Sequence, residues 1–298
     1  MNKIFRKIRK NLTHINSIYI TGRISFGNMI ISINNAIIMC ELIGCKKIII
    51  QNNKRVYIKH KIFYPKYNIT IGPKQLIKDN QHIFLNIWFL YFLKIKDLVD
   101  VNRFYIFKQE ILNNLPKLIV DHDSLSIYIR SGDIFFRLYR AIYSYAQPPL
   151  CFYESILTKF KFKQVKIISV NKWNPVIPIL LKKYTNIKFK KHSIKYDIAY
   201  LVNSFNIVSA KSSFIMSIIK LNDNLKFLWE YDFYKLSERY YHLHPSVYSF
   251  SYNYTIYKMD ASLKYKAIMY PWIHSKKQRK MMIKEKCNNN FTIIKPRI

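Results

Sequence analysis

The chain reads as an α/β protein made of two strand–helix domains in series, facing a cleft. Three observations predict this. Residues 17–50 form one strand–loop–helix–strand unit. Residues 125–229 alternate short β-branched runs with helical stretches four times. The few glycines stand at turns between elements, where a parallel sheet needs them.

In chain order, Met1–Asn16 is a polar lead-in, its first ten residues basic and amphipathic. Ser17–Thr21 (SIYIT) is a short buried strand. Gly22–Asn28 (GRISFGN) is a loop, and Met29–Ile43 carries apolar residues at helical spacing. Gly44 sits where a helix C-cap wants positive φ. Cys45–Ile50 (CKKIII) is the second strand. From residue 52 to 121 aromatic and basic residues follow no period, and this stretch completes the first domain. Its densest apolar run, Ile83–Leu93, is about half a membrane span and reads as a buried helix or strand. No run of signal or anchor length appears.

The second domain opens with the strand Leu125–Arg130 and the loop Ser131-Gly132-Asp133. Pro148-Pro149 precede a helix over Leu150–Phe160, and Pro175 opens another through Lys183. Between them Val165–Val170 is a strand, and Ile187–Phe189 a shorter one. Tyr196–Val202 is a helix with Asp197 in its first turn, where a carboxylate suits the macrodipole. Ile207–Ser209, Ser212–Lys220 and Lys226–Trp229 give strand, helix and a final strand. From Ser275 a basic helix leads to a flexible end. The boundaries predicted are thus 1–121, 122–274 and a basic tail, 275–298.

With 298 residues, half of them hydrophobic and 16% aromatic, the chain can bury sizeable cores and is not a disordered polymer. Fifty Lys+Arg against 16 Asp+Glu give a formal charge of +34. An anionic partner would offset it. Yet the lysines are spread along the chain, among abundant Asn, Ile and Tyr, as A+T-rich coding produces, so charge alone names no partner. The four cysteines, at 40, 45, 151 and 287, form neither a Cys-x-x-Cys pair nor a zinc spacing. Cys40 and Cys45 read as packed thiols near a helix end.

Average usage would place roughly 20 glycines in such a chain; it holds five. Those kept at strand ends serve tight turns or the close approach of backbone to a ligand. Both loops concerned carry anion chemistry. Arg23 and Asn28 bracket the first. The second, Arg130-Ser131-Gly132-Asp133, offers a guanidinium that can fork onto two phosphate oxygens. Ser212 and Ser213 occupy another strand-to-helix turn, where hydroxyls and free N–H groups hold anions. A diphosphate site is one reading. The other is an Arg130–Asp133 pair internal to its loop, with Ser212 a simple N-cap.

Tyr128-Ile129-Arg130-Ser131-Gly132-Asp133 resembles the His-x-Arg-x-Gly-Asp motif of the superfamily of α(1,2)-, α(1,6)- and protein O-fucosyltransferases. Gly22–Asn28 is similar to the Gly-rich loop opening the N-terminal domain of those enzymes. Asp197–Phe214 is similar to their last motif, an Asp followed about 15 residues on by a Ser/Thr pair. The three stand in the family's order and cover about residues 17–230. The resemblance implies a GT-B architecture of two Rossmann-like domains, with inverting, metal-independent transfer of fucose from GDP-fucose to a glycan or protein hydroxyl. It gives Arg130 the donor diphosphate, Asp197 the guanine edge, Ser212 and Ser213 phosphate oxygens, and Arg23 and Asn28 the donor side of the first domain. Tyr145 and Gln147 would lie towards the acceptor. The motif's His is Tyr128 here, which can stack beside a purine but cannot act as an imidazole, and its second Arg is Ser131. Asp133 and Glu154 are the base candidates by neighbourhood. The family works in the Golgi or ER lumen.

Other readings remain. One is a transferase that binds donor without turnover. Another is a basic nucleic-acid binder with its aromatics in Tyr231–Tyr257, although no nucleic-acid motif is present. Asp121-His122-Asp123 could mimic a metal-binding Asp-x-Asp but reads better as a turn, and His242-x-His244 lacks a third ligand.

Overall fold

The computed structural model describes residues 15–20, 26–50, 62–64, 69–73, 82–85, 105–136, 145–210, 212–233 and 253–296. The protein is of the α/β class, with two sheets in two compact units. The described residues up to Leu115 form one unit, and those from Pro116 the other.

The first unit contains β1 (Ser17–Ile20), α1 (Phe26–Ile43), β2 (Lys47–Ile50), β3 (Ile62–Tyr64), β4 (Ile69–Pro73), β5 (His82–Leu85) and α2 (Tyr105–Asn113). The strands lie in the order β3-β4-β2-β1-β5, all pairs parallel except β3 with β4. Every residue of β1 is buried, as a strand covered on both faces requires. Helix α1 begins at Phe26, so Gly27 and Asn28 lie in its first turn and not in the preceding loop. It ends as its sequence predicts: Gly44 takes φ +78°, and its N–H reaches the Cys40 carbonyl at 2.8 Å. That turn brings Cys45 back beneath Cys40, their Cα atoms 4.6 Å apart, and the two form a disulfide. The packed-thiol reading is corrected accordingly. Among the described residues of 52–121, the strands are only three to five residues long, too short to show a period in sequence. The apolar run at Ile83–Leu93 begins inside β5; the rest of it lies outside the described residues.

The second unit follows with β6 (Ser124–Tyr128), α3 (Asp133–Phe136), α4 (Leu150–Lys159), β7 (Gln164–Ile168), α5 (Val176–Lys183), β8 (Ile187–Phe189), α6 (Ile194–Val202), β9 (Asn206–Ser209), α7 (Ser213–Leu221), β10 (Phe227–Asp232), β11 (Thr255–Asp260), α8 (Leu263–Met269), α9 (Lys276–Lys284) and β12 (Thr292–Ile294). Its sheet runs β12-β11-β10-β9-β6-β7-β8, parallel throughout except for β12. From β6 the chain winds outward through β7 and β8. It then crosses back to β9 on the other side of β6 and continues through β10 and β11.

Two features differ from expectation. β10 is not the last strand, since β11 and β12 extend the sheet. Nor is the C-terminal segment a flexible end. Helix α9 is closed by a Ser275–Gln278 capping box, β12 pairs with β11, and Cys287 bonds to Cys151 of α4. Packing explains both: rings of β10 and β11 and of the C-terminal segment share one core. Trp229 and Tyr257 stack with centroids 5.3 Å apart, and Phe160 meets Trp229, Tyr257 and Phe291 edge-on. Each such ring removes about 150–250 Å² from water, so the segment is held by burial as well as by its bridge. Among the described residues, no helix is long and apolar enough to cross a membrane.

Candidate functional site

In open parallel sheets a crevice forms beyond the carboxyl ends of the strands, where the strand order reverses, because successive connections leave in opposite directions. In the second unit this point lies between β6 and β9. The two strands pair through Ile127 and Val208, and the Ala210 N–H still reaches the Tyr128 carbonyl at 3.2 Å. One residue further, Ile129 donates instead to Ile168 on the β7 side, at 3.1 Å.

Arg130 follows directly. Gly132, at φ +77°, turns the chain so that α3 starts at Asp133. The Asp133 carboxylate thereby stands 2.7 Å from Arg130 Nη2. The Arg130 side chain is 23% exposed, its guanidinium carbon lies 5.6 Å from the centre of the Tyr145 ring, and its Nε is buried without a hydrogen-bond partner. Burial works against this charge, but Tyr128, Asp133 and Tyr145 outweigh it and hold the guanidinium pKa above its ordinary value. The group is a fixed cation.

Tyr128 is buried, and burial raises its phenol pKa despite the opposing Arg130 charge. At neutral pH it is therefore a neutral phenol and no base. Its hydroxyl accepts from Ser212 at 3.3 Å, and its ring lies 5.2 Å from that of Phe214. Ser212 also caps α7, accepting the Ile215 N–H at 3.3 Å. Ser213 is the first residue of that helix and half-buried. The Arg130–Asp133 pair and the Ser212 cap are thus both present, beside a guanidinium with an unpartnered Nε.

The loop after β7 is locked to this group by a network that the sequence did not reveal. Ser131 donates to Asn171 Oδ1 at 2.6 Å, and the Trp173 N–H donates to the same oxygen at 3.1 Å. The Asn174 N–H reaches Ser131 Oγ at 3.0 Å, and its Nδ2 reaches the Arg130 carbonyl at 3.0 Å. Ser131, in place of the motif's second Arg, is buried bracing rather than an anion ligand. From below, Trp272 Nε1 donates to the Ile134 carbonyl at 3.0 Å and the Trp272 ring meets Phe135 edge-on. The only local signal for the network was Asn on either side of Trp173, a pattern typical of side chains that bond nearby backbone.

The remaining candidates are placed differently. Asp197 lies in the first turn of α6, after β8, two strands along the same edge from β6. Burial raises its carboxyl pKa to about 6, with the Lys166 charge opposing. Lys166 in turn lies over the rings of Tyr196 and Tyr200, 4.6 and 3.8 Å from their centres. Gln147 is fully buried. Its Nε2 donates to the Tyr145 carbonyl at 2.9 Å, and its backbone carbonyl accepts from the Tyr265 hydroxyl at 2.7 Å. It braces the Tyr145 segment from inside, and its Oε1 is buried without a hydrogen-bond partner. Glu154 pairs with Lys183 at 2.7 Å on the outer surface of α4 and α5. Asn28 is half-buried in α1, while Arg23 and the His242-x-His244 pair lie outside the described residues.

Asp121, His122 and Asp123 bring their ligand atoms within 4.8 Å of one another, all exposed, at the amino end of β6. That is the edge opposite Arg130. Asp121 Oδ1 accepts the Asp123 N–H at 2.9 Å, so the cluster is the turn its sequence predicts.

No family model, no curated protein and no solved structure matches this chain. Every functional statement about it stands on its own residues.

Proposed function

We propose that the protein is a glycosyltransferase resembling the fucosyltransferases, which transfers fucose from GDP-fucose to a hydroxyl of a glycan or glycoprotein, with inversion and without a metal. The observation that carries this reading is the convergence of Arg130, Tyr128 and Ser212 at the reversal of strand order. Numbered from β6, the parallel strands run 3-2-1-4-5-6, the order of doubly wound nucleotide-binding folds, which supports a Rossmann-like, GT-B reading. In that reaction the acceptor oxygen bonds the anomeric carbon as the bond to the diphosphate breaks, and the hydroxyl proton leaves to a base. Arg130 offsets the charge gathering on the departing GDP, and the N-terminus of α7 with Ser212 and Ser213 contributes N–H and hydroxyl donors.

A second reading is donor binding without turnover. It is favoured by the buried phenol at the motif's His position and by the engagement of Asp133 with Arg130.

Thermal unfolding with GDP, GDP-fucose, UDP and ATP tests the proposal. GDP and GDP-fucose are expected to raise the midpoint by several degrees, and Arg130→Ala to abolish the shift. Equal shifts with all four polyanions would mean that the +34 charge binds them unselectively and would overturn it.

A further inference from the structure

Two large rings stand exposed beside the Arg130 loop. Phe136, at the end of α3, is 70% exposed, and Trp173, in the loop after β7, is 53% exposed. Their rings are stacked, centroids 5.6 Å apart and planes 21° from parallel. Val170, 55% exposed, stands at the start of the same loop.

This shelf is held in place. The Trp173 backbone is fixed by Asn171, which is tied to Ser131, and Asn174 is tied to the backbone of both Ser131 and Arg130. On the other side, Asp133 and Phe136 lie one helical turn apart on α3 and therefore share a face. Asp133 is the residue that Arg130 grips. A guanidinium, the carboxylate it grips and an aromatic residue thus follow one another from the loop into α3. Two buried polar atoms without hydrogen-bond partners mark the same edge: Arg130 Nε after β6, and Ser169 Oγ directly after β7.

The order of groups along the edge indicates what the shelf would take. Ser212 follows β9, Arg130 follows β6, Trp173 follows β7, and Asp197 follows β8. Adjacent strands are about 4.8 Å apart, so the connection after β6, which carries Arg130 and Phe136, and the loop after β7, which carries Trp173, are neighbours along the edge. A nucleotide carries an anionic diphosphate at one end and a flat aromatic base at the other, the two chemistries that stand side by side here. From this arrangement we infer that Phe136 and Trp173 form the base-stacking platform of a nucleoside diphosphate whose phosphates lie on Arg130. The inference rests on the anion site proposed above and adds the base subsite. Stacking accepts any base by its π face and favours the larger purines, leaving discrimination to contacts at the edge of the base.

Calorimetric titration with GDP and with inorganic pyrophosphate separates the two subsites. Trp173→Ala and Phe136→Ala are each expected to weaken GDP about tenfold or more while leaving pyrophosphate affinity unchanged, with Trp173→Phe restoring most of the loss. Tryptophan emission gives a second readout. The chain has four tryptophans, so the readout is the difference between wild type and Trp173→Phe: quenching by GDP that vanishes in the variant comes from Trp173 and reports the stack itself. Unchanged GDP affinity in both alanine variants, with binding still abolished by Arg130→Ala, overturns the platform and leaves the anion site standing. Pyrophosphate binding without GDP binding in the wild type also overturns the platform. Failure of wild type to bind either probe overturns both.

Discussion

Gly132 and Val170 meet so closely that a β-carbon on Gly132 would lie 2.8 Å from Val170 Cγ2. The contact joins the loops after β6 and β7, and Gly132 itself takes φ +77°. A side chain there is opposed twice, by the left-handed backbone and by a stiff, β-branched neighbour. Gly132→Ala should therefore cost about 1–2 kcal/mol from the backbone alone, with the contact adding to it. Chemical denaturation of Gly132→Ala, Val170→Ala and the double variant separates the two effects. Val170→Ala should recover the contact's share and leave the backbone's. Full recovery in the double variant would show that φ is not the constraint.

Asp133 is expected to restrain Arg130 rather than to stabilise the fold. Its carboxylate is 64% exposed, and ion pairs in such settings contribute about 0–1 kcal/mol. Asp133→Asn should leave the unfolding midpoint nearly unchanged and strengthen pyrophosphate binding several-fold, because one charge competing for the guanidinium is gone. Weaker binding by calorimetry would instead mean that the carboxylate orients Arg130 for its ligand.

How far the sequence disclosed this site depends on the range of the interactions involved. Arg130, Gly132 and Ser212 were legible because a turn and a cap are local: Gly132 needs its backbone angle, and Ser212 needs only the helix that follows. The strands β6, β7 and β9 were legible for the same reason, each a short apolar run followed by a local turn or helix-start signal at Gly132, Pro175 and Ser212. The burial of Gln147 was not legible, because the Tyr265 hydroxyl that bonds its backbone carbonyl stands 118 positions away. The Ser131–Asn171 bond and the Phe136–Trp173 stack span 40 and 37 positions, and neither leaves a pattern within a window of helical or strand length. In the first unit, the loop holding Arg23 lies outside the described residues, so that half of the expected donor site remains an expectation from sequence.

Asp197 should make stability fall as the pH rises. Its pKa is raised from the ordinary 3.8 to about 6 by burial. Between those values the folded chain binds more protons than the unfolded one, so stability declines through that window and the full penalty persists above pH 6. Because the side chain is partly exposed, solvent screening reduces the penalty, to about 1 kcal/mol. Asp197→Asn should thus be more stable than wild type at pH 7 and equal to it at pH 4. Denaturant midpoints across this range check the sign. A wild type that gains on the variant with rising pH would mean that Lys166 holds the carboxylate as an ion pair.

The Cys151–Cys287 bridge should carry much of the second unit's stability. It joins α4 to the segment between α9 and β12 across 136 residues, with Cα atoms 5.6 Å apart. Closing so long a loop in the unfolded chain contributes on the order of 3–5 kcal/mol in the chain-entropy account, whereas Cys40–Cys45, five residues apart, contributes about half as much. Cys287→Ser should accordingly lower the thermal midpoint by on the order of 10 °C, and Cys40→Ser by less. A reductant should reproduce the larger effect in wild type and add little to Cys287→Ser beyond the share of the shorter bridge. Because β12 pairs only with β11 in this sheet, the same variant should expose the amides of Thr292–Ile294 to faster hydrogen exchange before the rest of the sheet. Peptide mapping without reductant identifies the pairs directly. Four alkylatable thiols, together with a midpoint indifferent to reductant, would show that the cysteines pack without bonding and that the pairing of β12 with β11 and the burial of Phe291 against Phe152 and Phe160 retain the C-terminal segment.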